Sequence, residues 1–318
     1  MPGVTAPTPT PLLHLGLDAG GTQTRWALAD AAGQVLREGQ VAGFSGVQLH
    51  DAAGRAAIEA VLQGAARAVA GEGHRVAGVV AGVTGFDPAQ RPQLCALLSA
   101  ALQLPEGGAQ ALSDFELTCH AAFAPGEGVV VIAGTGSIAA FVDRAGTLHR
   151  AGGRGAVIDD AGSGHWIARE ALRHVWRAED ETPGSTLQQP LAQALAQAVG
   201  GSDWAHTRAW VYGASRGELG TLARAVAAVA ERDAVALGIL HRAGAELARL
   251  ALALLHLHGA RPVALAGRVF ELHPVVQQSL QQQLPTGTPL QRLQQPAHHQ
   301  AAKLAARSAA ATHSARQA

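Results

Sequence analysis

Only two cysteines occur in 318 residues, Cys95 and Cys119, and they form no C-x-x-C pair. A disulfide framework is therefore unsupported, and a reducing, cytoplasmic location is the expectation. Aromatic residues make up 4% of the chain, so its cores are expected to be helix-rich and filled by small side chains. Lys+Arg and Asp+Glu both number 24, for a formal net charge of zero. With no basic run either, the electrostatic footprint of a nucleic-acid partner is missing. No apolar run is long enough to cross a membrane. The longest, around Ala245–Leu257, is interrupted by Glu246, Arg249 and His256 and suits a buried helix. Residues 1–11 lack the cationic start and apolar stretch of a signal peptide and read as a disordered tail. A GxxxxGK[ST] loop is absent, and neither main glycine turn opens directly onto a long helix, which argues against P-loop and Rossmann binding. The histidines form no H-x-x-x-H. His256 and His258 lie two apart on an expected helix and face different sides, His298 and His299 are adjacent, and no metal centre is expected from them.

What is present is a 48% apolar chain with matter for two cores. Apolar runs at Leu12–Leu17, Arg25–Ala29 and Val35–Val41 predict three strands, the last two split by an Asp-Ala-Ala-Gly turn. Helical spacing follows over Val47–Ala70. A strand is expected at Val76–Val83, a helix at Pro88–Leu104, a strand at Ala109–Leu112 and a helix at Phe115–Phe123. The pattern then restarts with strands at Gly128–Ala133, Ile138–Val142 and Thr147–Arg150. Helices are predicted over about 163–180, 186–199, 203–213, 217–231 and 233–258. A last unit comprises strand Pro262–Leu265, helix Pro274–Gln283, a short strand near Leu290 and a helix from Ala297.

The restart is an internal repeat. Gly21-Thr22 precedes Asp30 by eight positions and Gly33 by three more, counted from Thr22; Thr135 precedes Asp143 and Gly146 by the same intervals. Two α/β halves, each with a strand, a glycine turn and a hairpin, predict a nucleotide cleft between two domains. Gly20, Gly21 and Thr22, and Gly134, Thr135, Gly136 and Ser137, have the small residues and hydroxyls that let a backbone approach phosphate. Asp18, at the end of its strand, has the oxygen chemistry to hold Mg²⁺ through water. Asp114 ends another strand and is placed to orient an acceptor hydroxyl and take its proton, as a kinase requires. Asp is also a favoured cap for the helix beginning at Phe115. Asp160 has the same dual reading, as ligand carboxylate or as cap for the helix near Ser163.

Asp18-Ala-Gly-Gly-Thr-Gln-Thr24, Ser113-Asp114, Ile132-Ala-Gly-Thr-Gly-Ser137, Gly152-Gly-Arg-Gly155 and Asp159-Asp-Ala-Gly-Ser-Gly164 with Trp166-Ile-Ala168 together resemble the BadF/BadG/BcrA/BcrD ATPase family. Within it they are most similar to the N-acetylglucosamine and glucosamine kinase branch. The resemblance runs over about residues 12–311. It implies two duplicated actin-like, ribonuclease H-like ATPase domains with a cleft between them and a helical insert in the second. The first would span 12–117 with the C-terminal helix 297–318, and the second 118–296. It implies ATP and Mg²⁺, and phosphoryl transfer to the 6-hydroxyl of a small amino sugar, with Asp114 as base. Asp160, Gly153, Arg154, Ser45 and Thr135 would meet the sugar, and Gly267 the adenosine. A homodimer is common in this fold, though no residue argues for it.

Two departures stand out. Ala266-Gly267 replaces a Gly-Gly adenosine turn. At Gly43-Phe-Ser-Gly46 the family often reads G-x-x-N with a sugar-binding asparagine, and Gly46 takes that place, which bears on acetamido specificity. Other members of the family are ATPases that activate a CoA-ester reductase or dehydratase through a cysteine-bound iron–sulfur cluster. A non-catalytic sugar sensor is the third reading, and it would be expected to have lost the carboxylates.

Overall fold

The eight residues Leu12–Ala19 form β1, whose apolar side chains Leu13, Leu15 and Leu17 point to one face by the two-residue period of a strand. In the computed structural model, which describes residues 12–70, 75–293 and 296–317, β1 is the centre of a five-stranded sheet. The tail read at 1–11 lies outside the described residues. Strands β2 (Gln23–Ala29) and β3 (Val35–Ala42) follow antiparallel, and β4 (Arg75–Val83) and β5 (Ala109–Ser113) run parallel to β1, in the order β3-β2-β1-β4-β5. Helices α1 (Ala52–Val69) and α2 (Arg91–Leu102) cover the leucine face, where Ile58, Leu62, Leu94 and Leu98 are buried. The helix expected from Val47 is broken. A 3-10 turn over Gly46–His50 comes first, and Asp51 then caps α1 by accepting from the Gly54 N–H at 2.7 Å. Helix α3 (Asp114–Ala122) follows β5 without a linker.

The C-terminal helix (Ala297–Gln317) covers the other face of this sheet, burying Ala301, Ala302 and Ala305 against Ala27, Ala29, Val80 and Leu112. Gly16 makes that approach possible, since a Cβ there would come within 2.8 Å of the Ala301 carbonyl carbon. The helix is tied at its start by Glu38 of β3, which takes a contact from His299 and one of 3.3 Å from His298. These three donors, within 4.8 Å of one another, form a His-His-Glu cluster that the sequence separates by 260 positions. The Nδ1 of His298 is buried with no partner, so ligation through its other nitrogen would leave a buried N–H unpaired.

A second unit begins after Ala121 and closes at Leu293. Its strands β6 (Val129–Ala133), β7 (Ser137–Val142), β8 (Leu148–Gly152), β9 (Val263–Ala266) and β10 (Leu290–Arg292) are ordered β10-β9-β6-β7-β8. The pairings β6–β7 and β7–β8 are antiparallel, and β6–β9 and β9–β10 parallel. This is the plan of the first sheet over again, the duplicated ribonuclease H-like arrangement. The two hairpin turns match atom for atom. Asp30 Oδ1 accepts from Ala32 and Gln34, and Asp143 Oδ1 from Ala145 and Thr147, all at 2.8–2.9 Å. Gly33 and Gly146 close them at φ 79° and 83°. Helices α4 (Gly164–Glu181), α5 (Pro190–Val199), α6 (Trp204–Gly213) and α7 (Arg216–Ala228) form the insert, and α8 (Ala234–His258) and α9 (Pro274–Gln283) complete the unit. Among the described residues no helix is long and apolar enough to cross a membrane.

Candidate active site

In the first unit the parallel strands β1, β4 and β5 end together, with Ala19 paired to Val83 and Val83 to Ser113. The open carboxyl ends of parallel strands are where α/β sheets receive ligands. Asp18 lies in β1 one residue before that edge, and Asp114 follows β5 directly. Burial raises the pKa of Asp18 above the usual carboxylate range, the nearby Asp114 charge raises it further, and Arg25 opposes both. Asp114 is exposed as a residue, yet the protein packed around its carboxyl strips enough hydration to raise its pKa as well. Hydrogen bonds from the Phe115 N–H, at 2.9 Å, and from Thr84 pull the other way.

The helix cap expected of Asp114 is made by Ser113 instead. The Glu116 N–H donates to Ser113 Oγ at 3.2 Å, and Glu116 accepts from the Ser113 N–H at 3.4 Å while holding Arg91 at 3.1 Å. The helix thus starts one residue earlier than the sequence reading, and the Asp114 carboxyl is released from capping. Thr84, which sequence reasoning missed, joins three segments. Its N–H reaches Ala19 O at 3.0 Å, its carbonyl accepts from Gly46 at 2.9 Å, and its side chain meets Asp114.

Gly20, Gly21 and Thr22 form the β1–β2 turn, closed by Gly20 N–H to Gln23 O at 3.0 Å. Gly43 lies so close to this turn that any Cβ would overlap the Thr22 and Gln23 backbone. Gly46 likewise has no room for a side chain, since a Cβ would be 2.5 Å from Phe86 Cα and 2.6 Å from Gly85 O. An asparagine cannot occupy this position on this backbone. Ser45 and Gln48 cap the 3-10 turn between them, the Ser45 N–H donating to Gln48 Oε1 at 2.8 Å, and Val47 is the exposed side chain.

In the second unit the Gly134–Ser137 turn follows β6. Helix α4, capped by Ser163, presents its first N–H groups to this turn, Gly164 to Gly134 O at 2.8 Å and His165 to Thr135 O at 3.4 Å. Among the described residues the N–H groups of Thr135 and Gly136 have no protein acceptor. Ser137 departs from its expected role. Its hydroxyl is buried and donates to Ala161 O at 2.7 Å, fastening the turn to the Asp160 segment rather than facing a ligand.

Beside the turn is a small open pocket of about 60 Å³ lined by Gly134, Thr135, Gly164, one side of α7 (Gly217, Gly220, Thr221, Arg224) and Arg268 with Leu272. Gly267 brings β9 against β6, at φ 97° with its α-carbon over Ala133. Ala266 is an ordinary strand residue of β9, so the departure from Gly-Gly costs the turn nothing. A larger hollow in the first unit, about 420 Å³ along Ala77–Val80 and Pro105–Gln110, holds no titratable side chain except Glu106 and sits away from the carboxylates.

Gly152, Gly153 and Gly155 all have positive φ and lead into a loop where Arg154 is exposed. Asp160, at φ 53°, is 2% exposed and its carboxylate is committed to Arg216 of α7. It does not cap α4, which Ser163 does, and Arg216 meets one of its two carboxylate oxygens, Oδ2. Asp159 pairs with Arg249 at 3.2 Å. Arg216, Arg224 and Arg268 were not singled out by the sequence reading. Cys119 is buried, which pushes its thiol up to about 12, and Cys95 is half-buried on α2, so a cluster ligated by these two thiolates is disfavoured.

A model of the BadF/BadG/BcrA/BcrD ATPase family matches residues 15–297. The N-acetyl-D-glucosamine kinase of Dictyostelium discoideum is 28% identical over 193 residues, which are 58% of this chain. The match spans 60% of that protein's length, less than two thirds of it. Among solved structures, a Chromobacterium violaceum protein provisionally named N-acetylglucosamine kinase is 27% identical, with a TM-score of 0.68 over 94% of this chain and 100% of its own. One from Porphyromonas gingivalis, provisionally named likewise, is 20% identical with a TM-score of 0.64 over 92% of this chain and 98% of its own, and shares the fold.

Proposed function

The chain belongs to the BadF/BadG/BcrA/BcrD ATPase family, and on that premise we propose that it is an ATP-dependent kinase of a small amino sugar, N-acetylglucosamine or glucosamine, acting at the 6-hydroxyl. The observation that carries the reading is the Asp114 carboxyl, standing at the end of β5, freed from capping by Ser113 and hydrogen-bonded to Thr84. A carboxylate so placed orients an acceptor hydroxyl and receives its proton. The acceptor oxygen forms a bond to the γ-phosphorus while the bond to the bridging oxygen of ADP breaks, and ADP leaves with that electron pair.

The nucleotide is received by the pocket along α7, with its phosphates at Gly134–Gly136, where free N–H groups are available. Gly20–Thr22 supplies the matching turn of the first unit. Asp18 and Asp114 have the oxygen chemistry a divalent cation takes, and burial raises the pKa of both, with the Asp114 charge adding to the rise at Asp18; Asp18 would hold Mg²⁺ through water. Bound Mg²⁺ would neutralise charge on the phosphate oxygens. Asp160, Gly153, Arg154, Ser45 and Thr135 remain the proposed neighbours of the sugar.

The test is ADP release with Mg-ATP against glucosamine, N-acetylglucosamine, N-acetylmuramic acid, glucose and no sugar. Stimulation by one amino sugar supports the kinase. Hydrolysis indifferent to every sugar refutes it. A CoA-ester activator is less well supported, given the state of both cysteines.

A further inference from the structure

Arg216 is the first residue of α7, and its position is fixed three ways. Ser215 caps the helix, with the Glu218 N–H on its Oγ at 3.3 Å, and Glu218 returns to the Ser215 N–H at 2.7 Å. The buried Asp160 carboxylate holds the guanidinium itself. Gly136 leaves the space: a Cβ on it would lie 2.5 Å from the Arg216 guanidinium and 2.9 Å from Asp160 Oδ2. The cation is therefore seated on the phosphate-type turn, with its side chain still 48% exposed.

The pocket gives this position a direction. Arg224 lies at its far end with Arg268 and Leu272, and Gly220 and Gly217 follow towards the glycine turn. Arg216 comes last, beyond the pocket and at Gly136. From Arg224 to Arg216 is about 12 Å along the helix axis, comparable to the reach of a nucleoside triphosphate from its ribose to its terminal phosphate. A nucleotide lying along α7 with its β-phosphate at Gly134–Thr135 brings only the terminal phosphate to Arg216. The positive end of α7 points to the same place.

We infer that Arg216 is a catalytic residue that contacts the terminal phosphoryl group and stabilises its charge during transfer, and that Asp160 is its positioning residue. The inference rests on the nucleotide assignment made above. Arg is suited to this role because its planar fork meets two phosphate oxygens at once, whereas Lys offers a point charge. Asp160, covered by protein, keeps the guanidinium from swinging into solvent before ATP arrives.

The experiment compares the full-length protein with Arg216→Gln, Arg216→Lys and the double variant Asp160→Asn/Arg216→Gln. The double variant leaves no unpaired buried carboxylate, so it guards against simple misfolding. The first reading needs no sugar: the affinities for Mg-ADP and for a non-hydrolysable ATP analogue with Mg²⁺, by calorimetry. Arg216→Gln is expected to lose at least about 10-fold for the ATP analogue and under about 3-fold for ADP, with Arg216→Lys in between. The second reading is sugar-stimulated turnover, expected to fall about 10²–10³-fold in kcat with sugar KM within about 3-fold. The double variant should regain thermal stability and regain neither property.

Equal losses for ADP and the ATP analogue would overturn the inference, as would recovery of turnover in the double variant, since Arg216 would then be only a counter-ion for Asp160. If the unmodified protein shows no sugar-stimulated ADP release, the kinase reading fails on its own, and the ADP-versus-analogue ratio still decides the role of Arg216.

Discussion

Gly267→Ala separates packing from chemistry in the second unit. Gly267 has φ 97° and ψ 160°, a region open essentially to glycine alone, which puts about 1–3 kcal/mol on any other residue. The new methyl would sit 2.7 Å from the Ala133 carbonyl carbon and 3.1 Å from its nitrogen. Ordinary contact begins near 3.4 Å and the Ala133 carbonyl oxygen lies nearer to the methyl than its carbon does, so more than about 0.7 Å must be found by moving backbone, and no rotamer can supply it. Ala133 ends β6, the central strand, whose displacement shifts Gly134 and the pocket with it. Overpacking of this kind costs about 1–3 kcal/mol, and the lost freedom of the unfolded glycine returns about 0.4–1 kcal/mol. The net is destabilisation by about 3 kcal/mol, or roughly 6–12 °C in Tm for a unit of this size. Thermal melting by circular dichroism, with Mg-ADP titration at low temperature, measures both consequences. Gly21→Ala is the control, since nothing lies within 4 Å of its added methyl, and its Tm should stay within about 1 °C. A Gly267→Ala protein melting within 1 °C of the parent would refute the argument from backbone contact.

Asp114→Asn is expected to lower turnover about 10²–10⁴-fold. It should also raise the Tm of the ligand-free protein, because a carboxyl whose folded pKa is raised contributes stability below that pKa and loses it as pH rises through it; melting at pH 7.5 checks the sign. In a pH–rate profile the acid limb of kcat/KM should lie above the usual carboxylate range, with activity growing as Asp114 ionises. Thr84→Val removes a hydrogen bond that lowers the Asp114 pKa, so the limb should move to higher pH. Gly46→Asn should lose about 2–4 kcal/mol of stability without improving sugar KM, since its side chain must first displace Gly85 and Phe86. Denaturant unfolding and the sugar panel test it.

Most of the architecture was legible because the apolar periods are clean. β2 and β3 differ from their sequence ranges by two residues at most, and α9 agrees at both ends. The repeat of Thr, Asp and Gly at equal spacing exposed the duplication, and the structure supplies its cause in the matched Asp30 and Asp143 turns. Local competition was harder to read. Ser113 adjoins Asp114 and Ser163 lies three residues after Asp160, and a serine at the right backbone dihedral takes the cap from the aspartate. Ser137 looked like a ligand hydroxyl because nothing in sequence places Ala161 O above it. Arg216 was invisible for the same reason: 56 positions separate it from Asp160, and only the fold of the insert brings them together. The Glu38–His298–His299 cluster is longer range still.

The C-terminal helix, packed on β1 through Gly16, imposes an order on biosynthesis. Roughly 180 residues separate the end of β5 from Ala297, which at about 5–20 residues per second is roughly 10–40 s of translation. During that interval the first sheet is synthesised but one of its faces is bare, with Ala27, Ala29, Val80 and Leu112 uncovered. The second unit, made later, has every one of its own elements before the first receives its last. The unit that carries Asp18 and Asp114 is thus begun first and finished last, and a ribosome stalled before Ala297 would hold a nascent chain with an open apolar sheet, a substrate for chaperones.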